Sequence, residues 1–188
     1  FAELLSSRLT QNFSEYPIYS ALKFESDTNS PRKRILINFR GLRSEELFQS
    51  AMEGFPELQN LELDLHGVHD KNIAQRLAKF TNLRFLPDQV DESSYFSLYR
   101  DYYRVAFIYD PEFFSMQSSG RLADAIVAGA QIIVPSNTSL EDMLIEYGNG
   151  SAFSFTNSES LAHALSNEPQ RAQQSDYLPT SARTAQKM

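Results

Sequence analysis

The chain has 188 residues, enough for one well-filled domain with some chain left over. Its 41% hydrophobic and 22% charged residues are ordinary for a globular protein, and a net charge of -7 argues against general nucleic-acid binding, which wants a basic face. Without cysteine there is no disulfide framework, no thiolate chemistry and no Cys-based metal site.

Residues 1–33 are irregular in pattern and read as an N-terminal extension or interdomain linker, closed by the polar, basic run before Arg34. Because the chain opens on Phe1 rather than Met, an excised fragment is expected. From Arg34 the pattern sharpens. Ile35-Leu36-Ile37 predicts a strand, and Ser44–Met52 a helix capped by Ser44, with Glu45 and Glu46 in its first turn. Leu61–Leu65 alternates as a second strand ending at His66-Gly67. Asp70–Phe80 follows as a helix with Ile73, Leu77 and Phe80 on one face. Leu83–Leu86 is a short strand stopped by Pro87, and Asp91 caps a helix over 92–102. Val105–Tyr109 is the fourth strand.

The next stretch organises the rest. Phe113–Gly120 is a loop of small polar residues, followed by a helix in which Leu122, Ala125, Ile126 and Gly129 fall at helical spacing. Ile132-Ile133-Val134, closed by Pro135, is a β-branched run of the kind a buried parallel strand uses. Gly129 is expected in left-handed geometry at the helix end. A helix over Ser139–Tyr147, a Gly148–Gly150 turn, a strand over Ala152–Phe155 and a helix over Ser158–Ser166 complete the pattern, and 169–188 form a polar tail. No run approaches the roughly 20 apolar residues of a membrane helix, so no transmembrane segment is expected. His66-x-x-His69 lacks further ligands, so no metal is expected either.

Strict strand–helix alternation predicts an α/β domain over 34–168, a doubly wound, mostly parallel Rossmann-like sheet of about six strands. Ligands in such sheets bind outside the carboxyl ends of the strands. The loop before Gly120 would then present helix N–H groups and a positive dipole end to an anion, a nucleotide diphosphate being the obvious candidate. An ordinary Ser-capped helix fits the same residues.

Several common α/β signatures are missing. Asn38-Phe39-Arg40-Gly41 after the first strand is no Gly-x-Gly-x-x-Gly, no Gly-Lys-Ser/Thr begins a helix, and no Gly-x-Ser-x-Gly occurs. The segment Asp124-Ala125-Ile126-Val127-Ala128-Gly129-Ala130-Gln131-Ile132-Ile133 instead resembles the Glu-Ala-Met-Ala-x-Gly-x-Pro-Val-Val run of the donor-binding, C-terminal half of a GT-B glycosyltransferase of the retaining, group 1 type. From Arg34 to Leu165 the order of elements is similar too. Ile35–Arg43 resembles the family's first strand and phosphate loop, and Asn82–Pro87 with Val90 its base-contacting strand and loop. Two departures stand out. The family's paired glutamates lie eight positions apart, whereas here Asp124 has Met116 eight positions before it and Glu112 as the nearest upstream acid. The family's loop lysine falls on Glu45.

The resemblance implies a nucleotide-sugar site. Arg40 and Arg43, beside Gly41, would offset the diphosphate charge. The amides of Ser118, Ser119 and Gly120 would cradle a phosphate, with Gln117 and Arg121 beside them. Asp124 would reach the ribose or sugar, while Leu86 and Val90 would pack the base. Surface arginines, capping serines and a first-turn acid are the ordinary alternatives. The resemblance further implies sugar transfer to an acceptor held by a domain outside this chain, so the fragment alone would bind nucleotide without turnover. No cofactor is implied beyond the donor itself. The location implied is cytoplasmic, with peripheral membrane attachment left open. A non-catalytic interaction module, and more distantly an epimerase-like domain, fit the same residues.

Overall fold

The computed structural model describes residues 34–87, 98–99, 101–115, 117 and 119–167. The expected extension 1–33, most of the expected 92–102 helix with its cap, and the tail lie outside these residues, as do Val90 and Ser118.

Six strands form one sheet: β1 (Arg34–Arg40), β2 (Glu62–His66), β3 (Leu83–Phe85), β4 (Arg104–Tyr109), β5 (Gln131–Pro135) and β6 (Gly150–Phe153). Their order is β3-β2-β1-β4-β5-β6, and every pairing is parallel. The expected doubly wound α/β architecture is therefore the observed one. Helices α1 (Leu42–Gly54), α2 (Lys71–Leu77), α3 (Pro111–Phe114), α4 (Gly120–Val127), α5 (Ser139–Tyr147) and α6 (Ser158–Ser166) connect and cover it, with a 3-10 turn at Pro56–Asn60.

Alternation along the strands divides the core in two. Ile35, Ile37 and Phe39 of β1 pack with Phe48 and Met52 of α1 and Leu161 of α6. Leu36 points the other way, joining Phe107 and Val134 against Leu122 of α4 and Leu140 of α5. With both faces covered, β4 is buried at every position, as a central parallel strand should be.

Three local expectations need correction. Ser44 is not the cap of α1: Gly41, at φ 96°, turns the chain straight from β1 into a helix beginning at Leu42. Ser44 lies inside that helix, donating its hydroxyl to the Arg40 carbonyl at 2.7 Å. The last strand begins at Gly150 rather than Ala152, because that glycine is where β6 meets β5, and a Cβ there would run into the Ile132 carbonyl. Finally, the loop after β4 contains α3, whose Asp110 cap accepts the Glu112 amide and whose first residue is Pro111.

Gly129 behaves as expected. It has φ 74°, its amide donates to the Ile126 carbonyl at 3.0 Å, and the Ala130 amide donates to Ala125 at 3.2 Å. Those two bonds make a Schellman closure of α4.

Candidate functional site

The order of strands changes direction between β1 and β4, and their carboxyl ends diverge into α1 and α3. Such a switch point opens a crevice at the sheet edge. Here it is a cavity of about 640 Å³. Arg40 and Tyr109, the last residues of β1 and β4, are register partners and both line it.

Gly41 lets the chain leave β1 sharply. A Cβ on it would sit 3.3 Å from the Asp110 Cβ and 3.4 Å from the Phe113 ring, on a backbone that side chains rarely adopt. The Arg40 guanidinium lies 5.2 Å from the centroid of Phe114, a cation–π distance. The Phe114 ring in turn packs on Tyr109 with centroids 4.8 Å apart. The cavity therefore has an aromatic floor with a cation over it.

The opposite wall is the start of α4. Ser119 caps it, its hydroxyl accepting the Leu122 amide at 3.3 Å. Gly120, Arg121 and Asp124 follow along the cavity. Gly120 has no strained backbone, and a Cβ on it would meet nothing within 4 Å. The loop before α4 is tied down from the far side: the Ser139 hydroxyl, at the start of α5, lies 2.8 Å from the Phe114 carbonyl and 2.6 Å from that of Gln117.

Electrostatics distinguish the groups. Burial pushes the Tyr109 hydroxyl above its ordinary range, against the pull of Arg121, Arg40 and Ser119. Burial likewise raises the Asp124 carboxyl. Glu45, which falls where the resembled family has a lysine, is turned inward and buried. Its carboxylate accepts the amides of His69 and Asp70, both at 3.0 Å, and so fixes the loop after β2.

Of the residues singled out from sequence, Arg40, Gly41, Gln117, Ser119, Gly120, Arg121 and Asp124 all line this one cavity. Arg43 does not. Its guanidinium is 3.2 Å from Asp110 and 3.5 Å from Glu112, and lies over the Phe155 ring. Leu86 packs instead against the second core cluster, its amide bonded to the Leu65 carbonyl at 2.8 Å. Sequence reasoning missed Phe39, His69, Tyr109 and Phe114 as lining residues. His69 was legible only through its position two residues past Gly67, in a loop at the binding edge. Among the described residues no group of three or more His, Asp or Glu side chains is arranged to hold a metal ion, and no helix is long and apolar enough to cross a membrane.

No protein-family profile matches the chain, and no curated protein matches its sequence. Solved structures do resemble it. One is a protein of Listeria monocytogenes assigned as a UDP-N-acetylglucosamine 2-epimerase, with TM-score 0.50, 16% identity, and coverage of 72% of this chain and 37% of the other. The UDP-GlcNAc 2-epimerase of Methanocaldococcus jannaschii gives TM-score 0.51 and 12% identity over 85% of this chain and 47% of its own. AviGT4, a glycosyltransferase involved in avilamycin A biosynthesis, gives TM-score 0.48 and 12% identity over 74% and 43%. The chain thus spans less than half the length of each. At such identities the likeness establishes the fold alone, a Rossmann-like α/β domain.

Proposed function

We infer that this domain holds the nucleoside diphosphate part of a nucleotide-sugar in the cavity at the carboxyl ends of β1 and β4. In this reading it is the donor-binding half of a retaining-type glycosyltransferase, and the acceptor is held by a domain outside these 188 residues. The observation that carries the reading is convergence. Arg40, Arg121 and the Gly120 end of α4 line one cavity at the switch point of the sheet. A diphosphate would meet two cations and a helix N-terminus there.

Gly120 adds support. The fold does not require a glycine at that position, since a Cβ would be unstrained and unopposed. A ligand pressed against the backbone would require one. Asp124, one turn into α4, is in reach of a ribose or sugar hydroxyl. UDP is the first probe, because the two structural neighbours with the higher TM-scores are a UDP-GlcNAc 2-epimerase and a protein assigned as one.

The test is calorimetric titration with UDP and GDP. Charge-assisted contacts to phosphate contribute about 1.5–3 kcal/mol, so Arg40→Ala should weaken binding about tenfold or more. Gly120→Val should do the same while leaving the melting temperature in place. An affinity unchanged by both substitutions would remove the site.

One observation favours a second reading, a non-catalytic interaction module. Glu45 is committed to two backbone amides where the resembled family has its loop lysine, so that cation is missing here. Absence of UDP and GDP binding by the native chain at millimolar concentration would put this reading first.

A further inference from the structure

Within the cavity one polar group is set apart by its burial. Tyr109 is 2% exposed, yet it lines the cavity beside Arg40, Ser119 and Arg121. Its ring is fixed by Phe107 and Phe114, whose centroids lie 5.4 and 4.8 Å away. The hydroxyl therefore has little freedom to swing elsewhere.

A phenol has one O–H to give and two lone pairs with which to accept. Arg121, Arg40 and Ser119 pull the hydroxyl toward its ionised form. Burial outweighs them and keeps the proton on the oxygen above the ordinary tyrosine range. The group therefore carries an O–H to give, at the lining of the cavity.

We propose that Tyr109 donates its hydroxyl proton to an anionic oxygen bound in this cavity, forming with Arg40 and the Gly120 amide a three-armed diphosphate site. The proposal rests on the nucleotide reading only for the rest of the ligand. The anion alone is enough to engage all three arms.

The experiment uses the whole 188-residue chain with Tyr109→Phe, and inorganic pyrophosphate, UDP and uridine as probes in calorimetry. Phenylalanine keeps the ring contacts, so the melting temperature should hold. Pyrophosphate and UDP affinities should each fall about tenfold, while uridine affinity is unchanged. A ring-fluorinated tyrosine at 109, a stronger donor of the same shape, should instead tighten pyrophosphate binding. If the native chain binds pyrophosphate and UDP and Tyr109→Phe binds them equally well, the proposal is overturned and the nucleotide reading stands. If the variant loses pyrophosphate but the native chain holds UDP no better than pyrophosphate, the Tyr109 proposal stands and the nucleotide reading falls. A native chain that binds neither overturns both.

Discussion

β1 carries an arginine at each end, Arg34 where it begins and Arg40 where it closes, on the same face of the sheet. At the first end the partner anion is built in. Asp64 of β2 is fully buried and accepts from Arg34 Nε at 2.7 Å, from the Tyr102 hydroxyl at 2.6 Å and from Arg84. Burial opposes its ionisation, but the hydrogen bonds from Arg84, Arg34 and Tyr102 outweigh burial and hold its carboxyl below the usual range. At the other end the nearby acids are committed elsewhere. Asp110 and Glu112 face Arg43, Glu45 serves backbone amides, and Asp124, which does line the cavity, is pushed up by burial. The same strand thus ends once in a closed ionic cluster and once in a cationic opening. The first is satisfied within the fold, and the second is where we propose that an anion from outside binds.

The strongest way to break this contrast is to remove the built-in anion. Asp64→Ala should cost about 3 kcal/mol, since it removes the acceptor shared by Arg84, the buried Tyr102 hydroxyl and Arg34, leaving Arg34 with Glu62 and the Leu63 carbonyl. Urea denaturation would report it as a lower midpoint, and a loss under about 1 kcal/mol would mean the cluster is ornamental. Acid should act on the same group. Its folded carboxyl ionises below the ordinary 3.8, so its contribution is complete above that pH and disappears as pH falls through the lowered value. The native urea midpoint should therefore drop steeply below about pH 4, and that of Asp64→Asn more gently.

A smaller effect tests the helix that walls the opening. Gly129→Ala forces a Cβ into left-handed backbone at φ 74°, with no other atom within 4 Å to obstruct it. The cost should be conformational alone, about 1 kcal/mol, read as a lower melting temperature with UDP affinity retained. A stabilised variant would contradict the Schellman closure.

How much of this was legible beforehand follows from what sequence can encode. Apolar runs and apolar–polar alternation broken by Gly and Pro mark strands, so five of the six strands lay where the pattern put them, within a few residues. β6 was displaced because Gly148-Asn149-Gly150 resembles a turn, whereas Gly150 is a glycine for lack of room beside Ile132. At the cavity, the polar half was readable from Arg40-Gly41 and the small residues before α4. The aromatic half was not, because Tyr109 and Phe114 carry the same signal as core residues until the fold opens a space beside them. Arg40 and Arg43 looked alike for a related reason. What separates them is a partner 67 positions away, and no local pattern records it.

Ser139 offers a finer probe of the opening. Its hydroxyl has one proton for two carbonyls, those of Phe114 and Gln117, at 2.8 and 2.6 Å, and both residues line the cavity. Ser139→Ala should loosen that loop and cost about 1 kcal/mol of UDP affinity, roughly fivefold, with Ser139→Thr restoring it. An alanine variant that binds like the native chain would show that the tie is structurally idle.

The smallest expected effect is the sharpest comparison, because it sets one arginine against another. Arg40 faces the cavity, while Arg43, two residues past Gly41, spends its charge on Asp110 and Glu112. The Arg43 side chain is 55% exposed against 4% for Asp110, so water screens the cation's side of this half-buried pair and holds its contribution to about 1 kcal/mol. Asp110 keeps its other role when Arg43 is removed, since it still accepts the Glu112 amide at 3.1 Å. Arg43→Ala should therefore leave UDP affinity within about twofold and stability within about 1 kcal/mol, against the tenfold or greater loss for Arg40→Ala. Equal losses from the two substitutions would mean that Arg43 leaves its acids to meet the ligand, and the opening would then extend from β1 across the start of α1.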